Sequence, residues 1–169
     1  HNSELIIDSS SFQLYDTIAR IRALHKEKPL DLVIVDYLQQ LELDDNTNRV
    51  QVVSEITRKY KLLASELKIP IIELSQLSRK VEDRAIKIPI LSDLRDSGSI
   101  EQDMSGVIFI YRPSYYGIEV DSNGNDLTNI AEIIIAKNNF GRKGKIKYYF
   151  NAETTLFREV KWNIILQYQ

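Results

Sequence analysis

At 169 residues the chain offers one domain's worth of sequence, enough to bury a single sizeable core. Its 43% hydrophobic and 27% charged residues are ordinary for a soluble globular protein, and 22 basic against 24 acidic side chains confine any nucleic-acid surface to a local patch. The absence of cysteine excludes a disulfide framework and cysteine-based zinc sites and is compatible with a reducing cytoplasm, while no apolar run approaches a membrane span or reads as a signal peptide.

His1 opens the chain and Met104 is its only methionine, so the sequence reads as a piece of something longer. Leu5-Ile6-Ile7-Asp8 predicts a short strand, and Ser10 with Gln13 has capping-box spacing. Phe12, Tyr15, Ile18, Ala19, Arg22 and Leu24 then trace a helix up to His25. Leu32 to Val35 is a β-branched run without alternation that ends in Asp36, which predicts a strand buried on both faces of a parallel sheet. Glu42-Leu43-Asp44-Asp45-Asn46 reads as an exposed acidic loop.

The clearest helix spans about Thr47 to Leu67, with Val50, Val53, Ile56, Tyr60, Leu63, Ala64 and Leu67 at three- and four-residue spacing. Pro70 closes it, and Ile71-Ile72-Glu73-Leu74 gives another strand before the polar Ser75-Gln76. Lys80 to Lys87 lacks a period and reads as a flexible loop. Leu91 to Asp103 is a loop and short helix, with Ser99 and Gln102 again at capping-box spacing. Val107 to Tyr111 is a fourth buried strand, Asp121 to Asn125 a turn, and Ile130–Ala136 and Lys145–Phe150 a hairpin through Gly141–Gly144. Leu156-Phe157-Arg158 adds an edge strand. Two strand–helix–strand units followed by hairpins give an α/β sheet, parallel at its centre and antiparallel at one edge.

Asp36, Ser75-Gln76 and the residues after Tyr111 end three consecutive strands expected to be parallel, and right-handed crossovers bring such ends to one edge of a sheet. Asp36 either caps its turn or holds Mg²⁺ as an acid past a parallel strand does. Gln76 is either a loop amide that satisfies backbone groups or a sensor of a terminal phosphate on a nucleotide. It is their pairing that favours a nucleotide site.

DLVIVDYLQ (Asp31–Gln39), NRVQVVSEITR (Asn48–Arg58), LSQLSR (Leu74–Arg79) and LSDLRDSGSIEQD (Leu91–Asp103) resemble successive motifs of DnaB-type replicative helicases, as do IFIYR (Ile108–Arg112) and AEIIIAK (Ala131–Lys137). The resemblance runs in family order from about Leu5 to Arg158. It implies a RecA-like fold, a largely parallel central sheet flanked by helices with antiparallel hairpin strands at the C-terminal edge. Residues 1–169 would then be a single domain, the C-terminal part of a helicase motor in a hexameric ring. Such a motor resides in the cytoplasm, uses ATP and Mg²⁺ to move on single-stranded DNA, and has primase and a helicase loader as partners.

Residue by residue, the resemblance makes Asp36 the Walker B acid and Gln76 the glutamine between the γ-phosphate site and the DNA loops. Lys137 becomes the lysine that reaches the neighbouring subunit's nucleotide. Arg95, Asp96 and Gly98 match a channel loop that grips DNA phosphates, for which a glycine allows close backbone approach and an arginine supplies charge. A salt-bridged Arg95–Asp96 turn is the plainer alternative. Asp96 stands where the family has Glu, and Asn139 where it has an arginine finger, whose charge Asn cannot deliver. Arg142, Lys143, Lys145 and Lys147 form a basic patch: a solvated hairpin edge is preferred for Lys145 and Lys147, whereas a γ-phosphate or DNA contact stays equally open for Arg142. Tyr115-Tyr116 reads as packing rather than base stacking.

No G-x-x-x-x-G-K-S/T motif occurs in the chain. By the resemblance, that phosphate cradle lies upstream of Leu5, and the chain alone is inactive as an ATPase. Two other readings fit the residues: a RecA-like recombination or repair ATPase, and an ATP-independent module that binds DNA or a helicase.

Overall fold

The computed structural model of the chain describes residues 4–43, 49–94 and 100–160. They fall into two compact units, one of residues up to Gln76 with Leu94–Asp103, the other of Leu77–Asp93 with the chain from Met104 onward.

The first unit is built on helix α2 (Arg49–Leu67), whose apolar stripe recurs as its sequence requires. Val53, Ile56, Thr57, Tyr60 and Leu63 are at most 3% exposed, and they face the shorter helix α1 (Leu14–Glu27) and a two-stranded parallel sheet. Leu14 and Ile18 fill the α1 side, while the Thr17 and Tyr60 hydroxyls meet at 2.9 Å. Arg22 donates two hydrogen bonds to the Glu66 carboxylate at 2.8 and 2.6 Å, a bidentate tie between the two helices. Helix α2 ends in Lys68, held at φ +57°, the left-handed conformation that closes many helices and that glycine adopts at least cost.

Strands β1 (Val33–Val35) and β2 (Ile71–Glu73) pair in parallel, Val35 opposite Glu73. Burial on both faces is not what the run achieves here: Ile34 and Ile72 are 58% and 47% exposed, so only one face of the pair is covered. Leu5–Ile7 forms no strand, and Leu5 and Ile7 are more than 80% exposed. An apolar run becomes a strand only when a neighbour takes its backbone hydrogen bonds, and the described sheet of this unit is β1 and β2 alone. The Ser10–Gln13 capping box is also absent. Ser10 N donates to Asp8 instead, and Ser11 Oγ accepts from Gln13 N at 3.1 Å. Ser99 and the acidic stretch after Leu43 lie outside the described residues.

The second unit is an antiparallel sheet of order β3-β4-β5-β6, from Gly106–Tyr111, Ile130–Asn138, Gly144–Asn151 and Leu156–Glu159. Strand β3 alternates strictly: Val107, Phe109 and Tyr111 are buried, Ile108 and Ile110 exposed. Its described pairing is with β4, antiparallel, so the parallel part of the fold is β1 with β2. The buried face is sealed by Ala131, Ile134 and Phe150, with the Arg112 guanidinium 4.1 Å from the Phe150 ring centroid. Tyr116 stacks on Tyr111 at 5.9 Å, so it is packing, as expected, that holds that tyrosine. The Asp121–Asn125 turn closes around the Asp121 carboxylate, which accepts from the backbone of Asn123 and Asn125 at 2.9 Å each.

Lys80–Lys87 is not the unstructured loop its composition suggests. It carries a one-turn helix, α3 (Lys80–Asp83), with Val81 buried and the Lys87 ammonium bonded to Glu82 O.

Candidate functional site

Parallel pairing sends β1 and β2 out of the sheet at the same edge, so Asp36 and Ser75-Gln76 emerge there together. The backbone continues the register past the strands: Leu74 N donates to Val35 O and Leu38 N to Leu74 O, each at 2.9 Å. Gln39 then bolts the two loops to each other. Its Nε2 donates to Ser75 Oγ at 2.9 Å and Gln76 O at 3.2 Å, while its Oε1 accepts from Gln76 N at 3.3 Å. This residue was visible only as the last letter of DYLQ. Its role depends on a partner 37 positions away, which no local pattern announces.

Asp36 and Gln76 are both exposed, placed to meet a ligand rather than to serve the core. The Asp36–Tyr37 peptide is cis. Among the described residues no cluster of three or more His, Cys, Asp or Glu could hold a metal by itself. Mg²⁺ is commonly held by one or two carboxylates, with substrate phosphates and water completing the octahedron. A lone exposed carboxylate such as Asp36 suits the ion only when phosphates arrive with it.

Behind the edge, β2 turns Glu73 inward toward α2. Burial, opposed by the nearby Thr57 side chain and reinforced by the charge of Asp103, pushes its carboxyl up to about 8. The acid is therefore neutral at pH 7. Glu73 carries no signal in the sequence, since an acid in a strand signals nothing until its neighbours are known.

The second unit carries the remaining candidates. Opposite β3, strand β4 has one residue too many: Lys137 pairs with Val107 and Ile135 with Ile108, leaving Ala136 as a bulge directly before Lys137. Bulges re-aim the side chain that follows and are frequent beside functional sites. After Lys137 the β4–β5 turn is clamped by Asn138, whose Oδ1 accepts from Phe140 N at 3.1 Å and whose Nδ2 donates to Arg142 O at 3.4 Å. Asn139 N donates to Ser105 O at 2.9 Å. Arg142 and Lys143 are thereby presented, exposed, on an ordered turn. Lys145 is 3.7 Å from the half-buried Glu132. Arg95, Asp96 and Gly98 lie outside the described residues.

Parallel strands that deliver an acid and an amide to one edge, followed later in the chain by an antiparallel sheet, define an α/β fold of the RecA-like class. More narrowly, the chain belongs to the DnaB-like helicase C-terminal domain family, whose model matches residues 1–159. It is 44% identical over 154 residues to the replicative DNA helicase DnaB of Geobacillus stearothermophilus, a match that covers 90% of this chain and 33% of that protein. It is 43% identical over 159 residues to the replicative DNA helicase DnaC of Bacillus subtilis, covering 92% and 34%. Among solved structures, a DnaB-like replicative helicase described with its interactions with primase superposes with a TM-score of 0.80 at 37% identity, covering 92% of this chain and 37% of that one. A solved ATPase domain gives 0.81 at 38% identity, covering 92% and 54%. The chain thus spans about a third of the length of its curated relatives.

Proposed function

We propose that the chain is the part of an ATP-driven replicative DNA helicase that couples nucleotide hydrolysis to movement on single-stranded DNA. The observation that carries the reading is the edge where Asp36 and Gln76 emerge side by side, locked by Gln39. Asp36 would hold Mg²⁺ on the nucleotide's phosphates, and bound Mg²⁺ would neutralise charge that develops on them. Gln76 would report the terminal phosphate's presence to the DNA-engaging segment, where Arg95, Asp96 and Gly98 hold the phosphodiester backbone. Lys137 and Arg142 would serve the nucleotide of an adjacent subunit in a hexameric ring, Arg142 replacing the cation that Asn139 lacks. Residues 1–169 would belong to one RecA-like domain. The protein would act in the cytoplasm with primase and a helicase loader. The family membership favours this reading over a recombination ATPase or an ATP-independent module.

In the full-length protein, Asp36→Asn should lower DNA-stimulated ATP hydrolysis by about 100-fold or more, on the scale of losing one group that stabilises transition-state charge. Subunit assembly by size-exclusion chromatography should stay unchanged. Unaltered turnover would refute the assignment.

A further inference from the structure

Among the described residues, Phe140 is the most exposed of the large apolar side chains, at 88%, and it stands in the turn between β4 and β5. A single exposed apolar side chain needs no explanation by itself. What sets this one apart is how closely the backbone beneath it is held. Asn138 Oδ1 accepts from Phe140 N at 3.1 Å and Asn138 Nδ2 donates to Arg142 O at 3.4 Å, so one side chain spans the turn from beneath. Asn139 N is tied back to Ser105 O at 2.9 Å. Gly141 keeps the clamp close, because a Cβ there would come within 3.0 Å of Asn138 Nδ2. The turn is ordered by its own polar groups, and it leaves the phenyl ring uncovered.

Arg142 and Lys143 are exposed two and three positions beyond Phe140, while Lys145 lies 3.7 Å from Glu132. Two residues of chain span at most about 7 Å, so the phenyl ring and the guanidinium issue from one short turn. The centres of protein–protein interfaces are depleted of charged residues, lysine included, which argues against a protein pocket as the partner of this ring. A nucleotide has both counterparts: a flat base that stacks on an aromatic ring, and phosphate that attracts cations. Such stacking tolerates any base, since every base presents a π-face.

Resting on the functional reading above, which puts this hairpin at a nucleotide, we propose that Phe140 stacks on a nucleobase while Arg142 and Lys143 attract the phosphate that goes with it. The base belongs either to the nucleotide of an adjacent subunit or to single-stranded DNA, and the chemistry of recognition is the same for both.

The test uses the full-length protein and two readouts, the KM for ATP and the Kd for a fluorescein-labelled single-stranded oligonucleotide at one fixed salt concentration. Phe140→Ala should raise at least one of them by about fivefold or more, the lower end of what losing a stacked base costs. The larger rise assigns the source: KM to ATP, Kd to DNA. Phe140→Trp should hold the wild-type values, because its indole also stacks. Phe140→Leu keeps apolar bulk without a π-face and should behave like alanine. Wild-type KM and Kd in Phe140→Ala would overturn the proposal. So would recovery of both by Phe140→Leu, or subunit assembly lost from Phe140→Ala in size-exclusion chromatography, since either marks an apolar contact with protein. Should Phe140→Ala fail to fold, Phe140→Leu decides by the same two readouts. Arg142→Ala separates the layers: lowered turnover there beside unchanged Phe140 variants sinks the stacking alone. Unaltered turnover in Arg142→Ala as well sinks the reading of the hairpin on which the stacking rests.

Discussion

Glu73 shows how a single buried group ties stability to pH. Its carboxyl titrates near 8 in the folded protein and near 4.5 when exposed. The folded state therefore binds the proton more tightly, and the stability this confers is complete below about pH 4.5 and is lost as pH rises through 8. Glu73→Gln replaces the neutral acid with a neutral amide, so the variant should gain on the wild type by a few kcal/mol between about pH 5 and 8.5. Thermal midpoints measured across that range check it, and parallel curves would contradict it. At the β4–β5 turn, the ordered presentation of Arg142 predicts that Arg142→Ala lowers turnover by about tenfold or more, and that adding Asn139→Arg restores it, if a cation at either position serves the same phosphate. Steady-state ATPase of the three variants decides. The site residues differed in how far the sequence disclosed them. Asp36 and Gln76 stand out as candidates in the sequence because each lies at or just past the polar end of an apolar run. Gln39 and Glu73 do not, because each owes its place to partners brought in by the fold.

Among the elements, α2 follows its sequence most closely, since a three-four spacing of apolar residues leaves one stripe to bury. Ile56, fully buried at the middle of that stripe, should cost about 2–5 kcal/mol when cut to alanine, as core Ile→Ala changes do; chemical denaturation measures it. The residue just after the helix behaves oppositely. Lys68 pays for a left-handed backbone that glycine adopts freely, so Lys68→Gly should stabilise by about 1 kcal/mol. The elements that departed from expectation did so for want of neighbours. Leu5–Ile7 has an apolar run but no strand to pair with, and β1 has a sequence suited to two covered faces with one covered. The Lys80–Lys87 stretch departed in the other direction, gaining order from Val81 and from the ion pair of Arg84 with the buried Asp93, which no periodicity encodes.

For the whole molecule, the two units hold complementary parts of the proposed motor. The first has the Asp36–Gln76 edge, the second the Lys137–Arg142 hairpin. No G-x-x-x-x-G-K-S/T motif occurs in the 169 residues, so this chain by itself is expected to show no ATP hydrolysis above background in a phosphate-release assay. Binding of single-stranded DNA through Arg95 should be indifferent to sequence and weaken steeply with salt, because it rests on counterion release.

The central claim divides labour between a metal-holding acid at Asp36 and a DNA-holding segment that includes Arg95. It is tested most directly by ATP hydrolysis of full-length Asp36→Asn and Arg95→Ala, each with and without single-stranded DNA. The account predicts that Asp36→Asn loses both rates while Arg95→Ala keeps the DNA-free rate and loses the stimulation. Wild-type turnover by Asp36→Asn, or a DNA-free rate that collapses in Arg95→Ala, would contradict it.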